Sequence, residues 1–335
     1  VAVMSTPAEA VSGTAAYLTI CFLGIPFITA YNVISSIFRG LGDSKSPMYF
    51  IAIACAVNII LDYLFIGFFH LGASGAALGT TLSQACSVLF ALIAIKRKQT
   101  GLSLSGDCFR PQKKPLGKIL NIGIPVALQD GFIQIAFIII TIIANRRGLN
   151  TAAAVGIVEK IISFLFLIPS SMLSTVSALA AQNIGAGKYD RAKQTLRYAM
   201  MIAIGFGLVV SILIRTRCEH QRQQAEDERL VGLFTADAAV ILLGAQYIRG
   251  YIWDCIFAGV HFSFSGYFCA CGKSGISFLH NLIAILCVRI PGVYLTSKIF
   301  PHTLFPMGLA TATGSLLSVI ICIIAYRWLC EKSGK

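Results

Sequence analysis

Phe38-Arg39-Gly40-Leu41-Gly42-Asp43-Ser44 and Phe268-Cys269-Ala270-Cys271-Gly272-Lys273-Ser274 share the pattern Phe-x-x-x-Gly-x-Ser and lie 230 positions apart, each closing an apolar run. Upstream the offset holds without gaps: Met4-Ser5 falls over Phe234-Thr235, Tyr17 over Tyr247, Phe27 over Phe257 and Ser35 over Ser265. Downstream it slips by three, and Gly75-Ala76-Ala77-Leu78-Gly79-Thr80 falls over Gly308-Leu309-Ala310-Thr311-Ala312-Thr313. A repeat of this length is a duplicated half-protein. Two homologous bundles of membrane helices are the mark of a secondary transporter with its substrate site between the halves.

Composition places the chain in lipid. Of its residues 56% are hydrophobic and 12% charged, with a mean hydropathy of +0.79, whereas soluble domains carry about 25% charged residues. Apolar runs long enough to cross a hydrocarbon core of about 30 Å are predicted at 14–38, 47–69, 75–95, 119–144, 151–180, 195–214, 238–268, 275–298 and 305–328, after a stub Val1-Ala2-Val3-Met4. An odd number of spans sits poorly with a duplication. The first half is expected to occupy 1–112 and the second 113–335. Carried back from Lys113, the repeat offset places the start of the first copy about 115 residues before Val1, which corresponds to about three helices.

The formal net charge of +13 has to be sorted by side of the membrane before it is read as a nucleic-acid signal. Lys96, Arg97, Lys98, Arg110, Lys113, Lys114 and Lys118 crowd the loop between the halves, which the positive-inside rule assigns to the cytoplasm. Counting spans outward puts Arg39, Lys45, Lys188, Arg191, Lys193, Lys273 and the tail Arg327, Lys332 and Lys335 on the same side. Arg146, Arg147, Lys298 and a mixed-charge stretch at 215–229 fall outside. This distribution leaves no soluble domain to carry a nucleic-acid-binding face, and it makes the C-terminus cytoplasmic. The 11 cysteines are scattered, and Cys269-x-Cys271 lacks the second pair that a metal site would need. There is no nucleophile elbow, complete phosphate loop, His-Glu-x-x-His or histidine cluster, so no enzyme is expected.

Polar groups at membrane depth are costly and are functional candidates by default. Asp62 follows Asn58 by one helical turn, an arrangement read as a structural polar pair that satisfies itself against a neighbouring helix, with cation binding as the alternative. Gln129, Asp130 and Gln134 follow Gly123-x-Pro125, which weakens its helix, and one turn separates Asp130 from Gln134. Glu159 and Lys160 enter the 151–180 span. Asp254 lies inside the 238–268 span, and Arg289, near the middle of 275–298, requires a carboxylate partner, Asp254 or Glu159. A carboxylate that takes up either a proton or Na⁺, or a cationic substrate, but not both, is the simplest antiport element. Pro26, Pro125, Pro169 and Pro291 all fall inside spans, where proline kinks a helix.

Several linked stretches resemble bacterial transporters of the multidrug and toxic compound extrusion (MATE) family. In the first half these are Tyr31-Asn32, Phe38 to Pro47, Asn58-Ile59-Ile60-Leu61-Asp62 and Gly75 to Thr80. In the second half they are Gln182-Asn183-Ile184-Gly185-Ala186-Gly187-Lys188 with Arg191, and Leu233-Phe234-Thr235-Ala236-Asp237. The resemblance covers the whole chain. It implies an all-α polytopic membrane protein with two pseudo-symmetric six-helix lobes forming a V, the first lobe incomplete, with helices four to twelve present. It further implies a monomer in the bacterial plasma membrane, with no cofactor. Such proteins take Na⁺ or H⁺ inward and export small cationic amphipathic drugs as the lobes rock. A lipid-linked sugar flippase and a non-transporting relic are the alternatives. The coupling acid that many members carry in the first helix has no counterpart in this sequence. The position matching the seventh-helix acid is near Ile133, beside Gln134 and about a turn from Asp130. The tenth-helix acid falls near Ala258, one turn from Asp254.

Overall fold

The computed structural model describes residues 8–97, 112–219, 231–232 and 234–332. Met4-Ser5, Lys98, Arg110, Leu233, Lys335 and residues 220–229 of the mixed-charge stretch lie outside the described residues. The described residues are helical, without strands, in the order α1 Ala8–Gly40, α2 Lys45–Asp62, α3 Gly72–Arg97, α4 Lys113–Asn145, α5 Leu149–Leu165, α6 Leu167–Gly185, α7 Tyr189–Glu219, α8 Ala238–Tyr251, α9 Asp254–Ala270, α10 Ser274–Ala284, α11 Ile290–Ile299 and α12 Phe305–Lys332. Two segments, Tyr63–Phe68 after α2 and Ile285–Arg289 between α10 and α11, are π-helical. Each of the nine predicted spans is helical. Seven are continuous helices long and apolar enough to cross a membrane, and α5 with α6 makes an eighth, bent by 40°. The ninth is divided at Ile252-Trp253 into pieces of 14 and 17 residues. The chain falls into two compact units that meet at Pro111/Gln112 in the sequence.

The motif that opens the sequence is a helix terminator. In α1 the Asp43 N–H donates to the Phe38 carbonyl at 2.9 Å and the Gly42 N–H to that of Arg39 at 3.1 Å. At the end of α9 the Lys273 N–H reaches Phe268 at 2.7 Å and the Gly272 N–H reaches Cys269 at 3.0 Å. These paired 6→1 and 5→2 bonds need a left-handed residue just past the helix, supplied by Gly42 at φ 89° and Gly272 at φ 70°. Phe38 and Phe268 are both fully buried. The Gln182 to Lys188 stretch closes α6 in the same way, with Lys188 bonding Asn183 at 2.8 Å, Gly187 bonding Ile184 at 3.0 Å and Gly187 at φ 72°. The repeat therefore reflects a backbone geometry that only glycine adopts without strain.

In the first unit α1 packs along α3 and α2 against both. Its small core comprises Tyr31, Ile34, Phe38, Phe50, Ala91 and Ile95, with the Phe38 and Phe50 rings edge to face at 5.6 Å. Polar bonds stitch it together: the Tyr31 hydroxyl donates to the Pro47 carbonyl at 3.3 Å, and the Ser87 hydroxyl to that of Phe50 at 3.3 Å. Leu23, Ile60 and Tyr63 point outward at 70%, 65% and 78% exposure, the pattern of a lipid-facing surface.

The second unit comprises α4 to α12. Lipid supplies no hydrophobic drive between helices, so close approach depends on small residues. Gly250 of α8 meets Gly308 of α12 backbone to backbone, and a Cβ at Gly308 would lie 2.9 Å from the Tyr251 nitrogen. Likewise Gly266 of α9 backs onto α6, where a Cβ would lie 2.6 Å from the Leu173 carbonyl oxygen. The larger core, around Tyr247, Tyr251, Val155, Val158 and Met307, is sealed this way.

Two of the four span prolines account for local geometry. Pro169 falls in the first turn of α6, just after the bend at Phe166. Pro291 follows the Ile285–Arg289 π segment and opens α11, where its missing N–H breaks the ladder. Pro26 and Pro125 sit inside the continuous helices α1 and α4.

Candidate functional site

Among the described residues, three carboxylates lie more than a turn inside helices long and apolar enough to cross a membrane, Asp62, Asp130 and Glu159, and Asp254 lies in the divided span 238–268. Their surroundings differ sharply. Asp254 opens α9 at the break after Tyr251 and is completely buried. Arg289 ends the π segment opposite, and its Nη2 donates to Asp254 Oδ2 at 3.0 Å and to Ser315 Oγ at 3.0 Å. Side-chain exposures are 12% for Arg289 and 0% for Asp254. Gly314 lets α12 approach, since a Cβ there would lie 3.0 Å from that of Arg289. Two fully buried tyrosines, Tyr247 and Tyr251, with rings 5.8 Å apart, stand within electrostatic reach of the pair. Arg289 takes Asp254 of the two acids considered for it, and the pair is charge-neutral.

Glu159 is half-buried on α5. Thr141 Oγ1 of α4 approaches its Oε1 at 3.5 Å while bonding the Phe137 carbonyl at 2.9 Å. Lys160 beside it is exposed.

On α4 the neighbouring polar residues point in different directions. Gln129 is fully buried and its Oε1 accepts from Ser277 Oγ of α10 at 2.7 Å, with Nε2 unpartnered. Asp130 and Gln134 both lie on the exposed side of the helix. The one-turn spacing therefore keeps Asp130 and Gln134 together and turns Gln129 away to bind helix to helix.

In the first unit Asp62 ends α2 where the chain turns π-helical. Asn58 Nδ2 lies 3.5 Å from its Oδ1, and the carboxylate rests on Gly79 of α3, where any Cβ would collide with it. Tyr17 of α1 is within its electrostatic reach. Three helices thus converge on an acid with no cation among the described residues at ion-pair distance.

A polar cluster was not visible from the spacing. His280, fully buried on α10, is held by Ser318 of α12 at 2.6 Å on Nδ1 and by Ser265 of α9 at 2.9 Å on Nε2. A neutral imidazole bonded on both nitrogens donates to one hydroxyl and accepts from the other. His261 faces it with ring centroids 5.8 Å apart, and its Nδ1 is buried and unpartnered. These residues come from three helices, His261 and Ser265 one turn apart on α9, His280 on α10 and Ser318 on α12, so only their polar character at membrane depth hinted at them. No group of three or more metal-ligating side chains occurs among the described residues.

Comparison with known proteins bears on the family and the fold. The chain is 30% identical over 326 residues to the probable multidrug resistance protein YpnP of Bacillus subtilis, covering 97% of this chain and 70% of that protein. It is 27% identical over 327 residues to the multidrug export protein MepA of Staphylococcus aureus strain N315, covering 97% and 69%. Among solved structures, a MOP superfamily transporter from Pyrococcus furiosus superposes with a TM-score of 0.90 at 21% identity over 99% of this chain and 73% of its own. A point mutant of the Vibrio cholerae MATE transporter VcmN superposes at 0.88 with 16% identity, covering 99% and 73%. These likenesses establish the two-lobe MATE fold. The MatE family profile matches residues 1–64 and 125–295, and the chain therefore belongs to the MatE family of membrane transporters and is not an enzyme.

Proposed function

We propose that this chain exports small cationic amphipathic drugs from the bacterial cytoplasm in exchange for Na⁺ or H⁺, acting as a monomer in the plasma membrane with its C-terminus inside. Alternating access of the two lobes carries the exchange. The multidrug names of its relatives support the substrate class. The observation that carries the reading is the unequal pairing of the membrane acids: Asp254 is neutralised by Arg289, while Asp62 and Asp130 meet no cation among the described residues. An acid already paired to a buried guanidinium cannot release charge cheaply. One that is partly exposed and unpaired exchanges a proton or Na⁺ for a cationic substrate. Asp62 with the amide of Asn58 offers oxygen donors suited to a hard cation. Asp130 with Gln134 presents a second such pair, and Glu159 is a third candidate.

The flippase alternative needs a free cation at membrane depth to hold a lipid-linked phosphate. Arg289 is already bound to Asp254 and Ser315, which speaks against it.

Ethidium efflux from cells tests the reading, using the chain alone and extended upstream by the residues that the repeat offset calls for. Asp62→Asn is expected to abolish efflux and Asp130→Asn to reduce it, with protein levels unchanged. In membrane vesicles, an imposed Na⁺ or proton gradient then identifies the coupling ion. If both variants pump like the parent, the acids do not couple and the proposal fails.

A further inference from the structure

A cleft of about 1000 Å³ opens in the second unit where the α6–α7 turn, the first turn of α7, the α9–α10 turn and the end of α12 meet. Four cations from two separate segments line it: Lys188, Arg191 and Lys193 where the α6–α7 turn runs into α7, and Lys273 in the α9–α10 turn. Asp190 is its single acid. The basic loops place this end of the unit in the cytoplasm. That rule accounts for cations on this face but not for their convergence on one concavity.

The internal repeat supplies a second observation. Lys273 stands where the first copy has Asp43. There Asp43 Oδ1 accepts from the backbone N–H groups of Lys45 and Ser46, at 3.1 and 3.0 Å, and so supplies an anion to the start of α2. In the second copy no side chain caps α10. The built-in anion has been exchanged for a cation; of the two counterpart N–H groups, that of Ile276 bonds the Lys273 carbonyl at 3.0 Å, and that of Gly275, beside a basic cleft, favours an external anion.

The floor of the cleft decides what kind of anion fits. Tyr267 and Tyr326 pack edge to face with centroids 5.6 Å apart, and Leu329 lies beside them. A wall of tyrosine and leucine under a cationic rim matches an amphipathic molecule with a negative head at the membrane interface. We propose that this cleft binds the phosphate headgroup of an anionic phospholipid from the inner leaflet. The rim cations hold the phosphodiester, and the tyrosine floor accommodates the glycerol and upper acyl chain.

Native mass spectrometry of the detergent-purified chain tests this, with phosphatidylglycerol, phosphatidylcholine or inorganic phosphate added. Phosphatidylglycerol is expected to stay bound and phosphatidylcholine to be lost. Each rim cation removed should weaken retention roughly fivefold, so Lys188→Gln/Lys273→Gln should weaken it about twenty-five-fold. Lys114→Gln/Lys118→Gln, with the same charge loss on α4, should leave it unchanged. Lys273→Asp restores the cap of the first copy. It should lose the lipid while its thermal midpoint in lipid-free detergent holds or rises, which separates lost binding from lost folding. Equal loss in the α4 control, retention by Lys273→Asp, or equal retention of phosphatidylcholine would each overturn the proposal. Displacement of the lipid by millimolar inorganic phosphate would mark the cleft as a free-anion site and overturn the lipid assignment.

Discussion

Replacing Asp254 by Asn keeps the shape of the side chain and removes its charge, leaving the Arg289 guanidinium with only neutral acceptors deep in the second unit. The structure sets the size of the effect. Asp254 is fully buried, Arg289 is 12% exposed, and their 3.0 Å contact is the charge compensation of that guanidinium among the described residues. Breaking a buried pair from one side costs about 3–5 kcal/mol, and an arginine at the centre of a membrane helix costs about 2.5–3.5 kcal/mol on insertion scales. Ser315 still accepts from Nη2, and the amide oxygen of the new side chain remains an acceptor, so the loss should fall near the lower limit, about 3 kcal/mol. Removing both charges in Asp254→Asn/Arg289→Gln should return the unit to within about 1 kcal/mol of the parent, because no uncompensated charge is left. Reversible unfolding in mixed detergent micelles, followed by the fluorescence of Trp253 beside the pair, reports both quantities in one mutant cycle. A single variant within about 0.5 kcal/mol of the parent, or a double variant no better than the single, would refute the reasoning. Efflux by the double variant adds a functional readout: a pair that serves the architecture should leave transport standing.

Two other substitutions test the packing of the same unit. Gly308→Val forces a branched side chain into the Tyr251 backbone at the α8–α12 crossing, and should destabilise the unit by about 3 kcal/mol or more, read as a lowered unfolding midpoint. Ser277→Ala removes the donor to Gln129 Oε1, whose Nε2 is already unpartnered. It should cost about 1–3 kcal/mol in the same unfolding assay, with the double variant Gln129→Leu/Ser277→Ala recovering much of it.

The spans and the duplication were legible because each rests on a signal that survives sequence drift. A membrane helix needs a long apolar run, and the Phe-x-x-x-Gly-x-Ser terminator needs a glycine at positive φ, so Gly42 and Gly272 persist while Arg39 and Cys269 diverge. The break at Ile252-Trp253 carried no such signal. It contains neither proline nor glycine, and it is stabilised by packing around Tyr247 and Tyr251. The facing of Gln129 against Asp130 was equally hidden. α4 is apolar on all sides, so the pattern that shows which face of a soluble helix is buried is missing here. The buried His280 with its two serines joins residues 265, 280 and 318, a relation that only the tertiary fold supplies.

The two copies agree in backbone and disagree in charge. Their terminators use the same bonds and the same glycine geometry, and the second helix of each copy runs into a π segment, at Tyr63–Phe68 and at Ile285–Arg289. Shared geometry with divergent polar residues is what a duplicated scaffold produces when its halves take different tasks. The first copy places Asp62 and Asn58 beside its π segment without a cation, and caps α2 with Asp43. The second ends its π segment on Arg289, sealed by Asp254, and exchanges the cap for Lys273. On physical grounds an unsealed acid can change its charge during a cycle, and a sealed pair resists doing so. The asymmetry therefore points to the first unit for charge exchange and to the second for a fixed frame. Transferring the seal by Ile59→Arg, one residue from Asn58, should silence Asp62 if that division is correct. Efflux at the parental rate in that variant, with the protein correctly inserted, would show that the acid of the first unit carries no exchange.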